Sequence, residues 1–151
     1  MMTQNALTEH LHLLHTSFRH YVGSDLADMP WQGVPTAIAL DQAPFVLLSH
    51  NTAADPIFTY GNQTALQLFA MDWDTLTQLP SRYSAEPVAR EEREYLLQTV
   101  TQQGYIADYS GVRIAKNGQR FLIKQAIVWN LRHMNGSYAG QAAYFDHWEY
   151  L

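Results

Sequence analysis

The sequence contains no cysteine, so disulfides, thiolate nucleophiles and cysteine-ligated metals or clusters are excluded in one step. Charge is scarce too: only 15% of its 151 residues are charged, and the net charge is −5. No Lys/Arg cluster exceeds a pair, which removes the electrostatic footprint that nucleic-acid binding needs. No apolar run approaches the ~20 residues of a membrane span. The start, Met1-Met2-Thr3-Gln4-Asn5, lacks the charged-then-apolar order of a secretory signal, so a cytoplasmic location is expected. Internal repeats and low-complexity tracts are also missing.

What is present is a core. Hydrophobic residues make up 47% of the chain and aromatics 13%, enough for one folded domain of this length without staples. Residues 6–22 carry Leu7, Leu11, Leu14, Phe18 and Tyr21 at spacings of three and four, an amphipathic helix stopped by Gly23. Residues 24–43, with Pro30, Gly33 and Pro35, read as a linker with one short helical turn. This divides the chain into an N-terminal helix and linker, 1–42, and a domain, 43–151.

Within the domain, Phe45-Val46-Leu47-Leu48 and Ile57-Phe58-Thr59-Tyr60 read as short strands. Asn62 is placed to cap a helix through Ala65, Leu66, Leu68 and Phe69, and Asp72 to cap a shorter one closed by Pro80. Ser84 is expected to cap a long helix to about Gly104, with Val88, Tyr95, Leu96 and Val100 as its buried side. Two Asn-Gly pairs then punctuate three strand-length runs, 105–116, 119–131 and 137–148. Asn117-Gly118 fits a tight primed turn with positive φ at both residues, and Asn135-Gly136 sits in a wider loop. The expected product is a three-stranded antiparallel meander behind the helices.

The ordered segments Asp55-Pro56-Ile57-Phe58-Thr59-Tyr60-Gly61-Asn62, Ala65-Leu66-Gln67-Leu68-Phe69, Asp72-Trp73-Asp74-Thr75-Leu76, Lys116-Asn117-Gly118 and Arg120-Phe121 resemble a PAS domain. Leu48-Ser49-His50-Asn51-Thr52, Leu79-Pro80-Ser81-Arg82, Asp108-Tyr109-Ser110-Gly111-Val112-Arg113 and Val128-Trp129-Asn130-Leu131 are similar to one PAS-like family, the MEKHLA domain. The resemblance implies an α+β fold: a five-stranded antiparallel sheet in the order 2-1-5-4-3, helices on one face and a flanking N-terminal helix. It implies a signalling, ligand-sensing or dimerisation role, with no nucleic-acid or membrane partner. The N-terminal helix resembles those through which PAS domains pair; docking on its own sheet is the equal alternative.

Cofactors can be weighed against the residues. The flavin adduct of light-sensing PAS domains needs a cysteine and is excluded. Haem in PAS sensors commonly uses a His on the long helix, and 84–103 has none, so haem is disfavoured. His10, His12, His15 and His20 lack the four-residue spacing of a helical metal pair, which favours a polar face over a metal site. Ser49 and His50 point to opposite faces of a strand and cannot act together as nucleophile and base.

The candidate ligand-binding residues are Tyr60, Arg82, Asp108, Gln125 and Gln141. Strict alternation puts Asp108 and Ser110 on the Ile106/Val112 side of their strand, where they could line a cavity unless a bulge at Gly111 intervenes. Gln125 interrupts an apparent apolar stripe of Phe121, Ile123, Ile127, Trp129 and Leu131. Tyr60, Arg82 and Gln141 sit in segments that border the cavity in the PAS family. No catalytic constellation or metal site emerges. The favoured expectation is a non-enzymatic sensory module, homodimeric through the helix or the sheet, binding a small molecule or protein. The alternatives are a small-molecule isomerase or hydrolase using Asp108 and His50, with a carboxylate at its cavity floor, or a ligand-free dimerisation scaffold.

Overall fold

The computed structural model describes residues 2–23 and 37–151; most of the linker, with Pro30, Gly33 and Pro35, lies outside the described residues. The elements run α1 (Gln4–Tyr21), α2 (Ala37–Asp41), β1 (Val46–His50), β2 (Phe58–Gly61), α3 (Gln63–Phe69), α4 (Trp73–Leu76), α5 (Pro87–Gln103), β3 (Tyr105–Ile114), β4 (Arg120–Arg132), β5 (Tyr138–Phe145) and β6 (His147–Tyr150). All strand pairs are antiparallel, in the order β2-β1-β5-β4-β3, with β6 pairing β4 as the continuation of β5 beyond Asp146. Among the described residues, no helix is long and apolar enough to cross a membrane.

Local chemistry sets most boundaries. Asn62 caps α3 by accepting from the Ala65 amide at 3.1 Å, and Asp72 caps α4 by accepting from Thr75 at 2.8 Å. Asn62 also accepts from the Leu47 amide and donates to the carbonyls of Leu40 and Phe45, which ties β1 and α2 to the helix start. Ser84 does not cap α5. Its hydroxyl donates to the Ser81 carbonyl inside a 3-10 turn, Ser81–Ser84, and α5 begins with Pro87 at its first position, where a missing N–H costs nothing.

The hairpin at Asn117-Gly118 uses a different turn from the primed one expected, and the wider loop at Asn135-Gly136 uses the same one. Gly118 and Gly136 have φ of 87° and 88°, while neither asparagine before them is positive. Gly118 N donates to Ala115 O, and Gly136 N to His133 O, both at 2.9 Å. Each is a three-residue loop ending in a left-handed glycine, the bulged hairpin arrangement. Asn117 and Asn135 instead accept from the amides two residues on, at 3.0 Å in both cases.

Both faces of the sheet are covered. On one, Leu11, Leu14 and Phe18 of α1 pack against Leu47, Tyr60, Ile127, Trp129, Leu131, Ala142 and Tyr144. On the other, α3, α4 and the 3-10 turn enclose Val46, Leu48, Phe58, Phe121, Ile123 and Phe145, while Leu96 and Val100 of α5 meet Val128. The apolar stripe of α1 is therefore spent on its own sheet. Val88 and Tyr95, expected inside, are 87% and 75% exposed; the buried side of α5 is Arg93, Leu96 and Val100.

Candidate functional site

The site is a cavity of about 80 Å³ between α5 and the sheet. Its apolar wall includes Leu48, Phe58, Phe69, Leu96, Ile123, Val128 and Phe145. Its polar lining includes His50, Ser84, Arg93, Tyr109, Arg113 and Gln141. Among the described residues, no aspartate or glutamate lines it.

How the strands aim these side chains depends on a pair of bulges. Ile106 faces Val128, Tyr109 faces Ala126 and Gly111 faces Ile123. One extra residue thus enters β3 before Tyr109, and one enters β4 before Ala126, so the two slips cancel. Asp108 (φ 59°) and Gln125 (φ 54°) are the left-handed residues at these points. The slip brings Ile106 and Tyr109 to the same side, so that Tyr109 and Arg113, not Asp108, turn toward the cavity. On β4 it splits the apparent apolar stripe in two. Phe121, Ile123, Ala126 and Val128 face the α5 side, and Ile127, Trp129 and Leu131 face α1.

This moves Asp108 and Gln125 out of the site: both are exposed. Tyr60 pairs with Ser49 across β1 and β2 and shares its face, turned toward α1. Its hydroxyl donates to Asp41 at 3.0 Å and its ring meets His10. Arg82 is half-buried, paired with Asp55 at 3.0 Å and stacked on Tyr83. Of the five residues expected at the site, the structure brings only Gln141 to the cavity. Asp55 and Asp108 lie outside the lining, so the carboxylate floor required by the isomerase or hydrolase alternative is not where that alternative puts it.

A hydrogen-bonded chain runs along one wall. An Arg93 guanidinium N–H donates to Ser81 Oγ, and Ser81 Oγ lies 3.2 Å from His50 Nδ1. His50 Nε2 lies 3.0 Å from Gln141 Oε1. Gln141 Nε2 then donates to Leu97 O, Thr101 Oγ1 and Asn130 Oδ1, each at 3.1 Å. Because an amide oxygen only accepts, the proton of His50 sits on Nε2 and Ser81 donates to Nδ1. Burial, with Arg93 adding to it, pushes the His50 imidazole down to about 4, so it is neutral near pH 7. The next strand comes close here: a Cβ on Gly140, whose φ is 124°, would stand 2.1 Å from the His50 carbonyl oxygen.

Arg93 and Arg113 were missed as site residues. Arg93 is hidden in the charged run Arg90-Glu91-Glu92-Arg93-Glu94, although it falls three and seven residues before Leu96 and Val100, on their face. That spacing was the available signal. Arg113 needed the bulges.

On the opposite face of β1, Ser49 Oγ lies 2.7 Å from His10 Nε2 of α1 and 2.8 Å from Thr59 Oγ1. Burial lowers His10 to about 4 as well. Neighbouring residues of one strand, Ser49 and His50, thus contact α1 on one side and the cavity wall on the other.

The fold has many solved likenesses. The PAS domain of a protein from Colwellia psychrerythraea superposes with a TM-score of 0.62 at 16% identity, covering 72% of this chain and 89% of that one. A light-oxygen-voltage domain studied with a flavin analogue gives 0.60 at 14% identity, covering 76% and 83%. The light-state dimer of the fungal blue-light photoreceptor Vivid gives 0.55 at 14% identity, covering 68% and 76%. At these identities the likeness is one of fold. No curated protein matches the sequence. The MEKHLA domain matches residues 8–150, a span that includes most of α1, and this chain therefore belongs to the MEKHLA family, whose fold here is PAS-like.

Proposed function

We propose that this chain is a cytoplasmic, non-enzymatic sensory module that binds a small molecule in the cavity between α5 and the sheet. The observation that carries the reading is the cavity itself: an apolar wall with a few convergent polar groups, inside a PAS-like fold. Its chemistry is that of holding a ligand. His50 is neutral and engaged at both ring nitrogens, and among the described residues no carboxylate stands beside it as an acid–base partner.

Occupancy would be read through β1. A ligand that binds one arrangement of the His50–Gln141 wall more tightly than another shifts the population of the two by its differential affinity. The same strand passes that shift to α1 through Ser49 and His10. A homodimer is part of the proposal, supported by the likeness to Vivid, whose light-state form is described as a dimer. With the α1 stripe buried, the exposed Val88 and Tyr95 side of α5 offers an apolar surface for pairing.

Native mass spectrometry of the gently purified chain tests this. The expected result is a dimer carrying a non-covalent mass that denaturation releases and that the cavity-filling Ala126→Leu variant lacks. A monomer would refute the pairing. A chain with no bound mass, unaffected in stability by any small molecule, would favour the scaffold alternative.

A further inference from the structure

The cavity holds two guanidinium groups, and among the described residues no carboxylate lines it to balance them. Arg93 of α5 and Arg113 of β3 are 4% and 7% exposed. Arg93 donates to Ser81 Oγ, a neutral group, and the nearest carboxylate oxygen is that of solvent-exposed Glu94, 3.6 Å away. Arg113 donates to the Val112 carbonyl at 2.8 Å and to the Tyr109 hydroxyl at 3.2 Å. Glu92 is one step further out, accepting from that same hydroxyl at 3.1 Å. Among the described residues, neither guanidinium has a carboxylate within hydrogen-bond distance. An uncompensated buried charge is costly, and here two of like sign face one small space. Burial and the neighbouring Arg113 pull Arg93 down to about 10, which leaves it protonated near pH 7. His50, neutral and already bonded, cannot offset them.

We propose that the cavity takes a short-chain monocarboxylate, its carboxylate held by Arg93 and Arg113 and its carbon chain packed on the apolar wall. The proposal rests on the ligand-binding reading above and names the ligand's chemical class. Planar, bidentate recognition of a carboxylate is what guanidinium groups do best. The apolar wall of Leu48, Phe69, Ile123 and Val128 favours an anion with a hydrocarbon body over an inorganic one. Size sets the length. A six-carbon ring fills a cavity of about 150 Å³, so by proportion the space here takes about three to four non-hydrogen atoms. That is the scale of acetate, with propionate one atom larger.

The test is thermal unfolding with acetate, propionate, butyrate and valerate, beside propionamide, nitrate and phosphate at matched ionic strength. Propionate or acetate should raise the midpoint by roughly 5–10 °C at a hundredfold excess over Kd, with the effect falling off at valerate. Propionamide should have no effect. Arg93→Met and Arg113→Met should each abolish the response while leaving the unliganded midpoint unchanged or higher, because one of two like charges facing the cavity has been removed. A merely structural arginine would lower that midpoint. An equal response to propionamide would overturn the anion assignment and leave the ligand-binding reading standing. An equal response to nitrate or phosphate would overturn the carboxylate. No response to any carboxylate would overturn the proposal, whereas the ligand-binding reading would fall only if the purified chain also carried no bound mass.

Discussion

Protonating His50 should unfold part of what holds the cavity wall. Its imidazole accepts from Ser81, donates to Gln141 and sits near the Arg93 cation, so a second ring proton must turn the Ser81 hydroxyl from donor to acceptor and meets a like charge. The folded-state value is about 4 against 6.5 for an ordinary histidine. A depressed folded value means the unfolded chain binds the proton first. The stability contribution is therefore complete above pH 6.5 and is lost as pH falls toward 4. About 1.4 kcal/mol per pH unit over that window gives a loss of about 3 kcal/mol. With a urea slope of about 2 kcal/mol per molar, the midpoint should fall by about 1.5 M between pH 7 and 4 on this account alone. His10, shifted to about 4 by burial, and His15, lowered by burial with Arg19 and His12 adding to it, act in the same direction. Carboxylate protonation also contributes. The discriminating quantity is thus the difference between wild type and His50→Gln, measured by urea denaturation at each pH. The variant's curve should be flatter by about 3 kcal/mol over the window. Parallel curves would refute the assignment of His50 as a neutral, doubly bonded wall residue.

Three further substitutions probe the frame around the site. Gly140→Ala should cost about 2 kcal/mol or more by denaturant titration, since the new methyl meets the His50 carbonyl and the backbone is left-handed there. Asn62→Ala should cost about 3 kcal/mol, because it removes a helix cap and strands the Leu47 amide and the Phe45 carbonyl. Gln125→Gly should stabilise by about 0.5–1 kcal/mol by relieving a positive φ at an exposed bulge, and a loss instead would show that the glutamine side chain is used.

The parts of this structure that were legible in the sequence are those decided within a few residues. Asn62 and Asp72 cap the helices their positions announce, and both Asn-Gly pairs end hairpins. The turn type was misjudged because the asparagine side chain, by bonding two residues ahead, lets the glycine alone carry the positive φ. The site was less legible because its sidedness is set across strands. A two-residue alternation runs unbroken through Asp108 and Gln125 in the sequence, and only the paired slips between β3 and β4 reveal that each reverses it. Gln141 lies on an uninterrupted stretch of β5 and was placed without that knowledge. Arg93 was obscured because a charged residue is ordinarily assigned to solvent, which Val88 and Tyr95 occupy here instead.

High-resolution crystallographic density in the cavity between Arg93 and Arg113, from protein purified without denaturation, tests the central claim most directly. The account predicts a continuous, non-water feature with a forked head within hydrogen-bond distance of the guanidinium groups and a short tail against Ile123 and Val128. A cavity holding only separate waters, or closed by its own side chains, would contradict it.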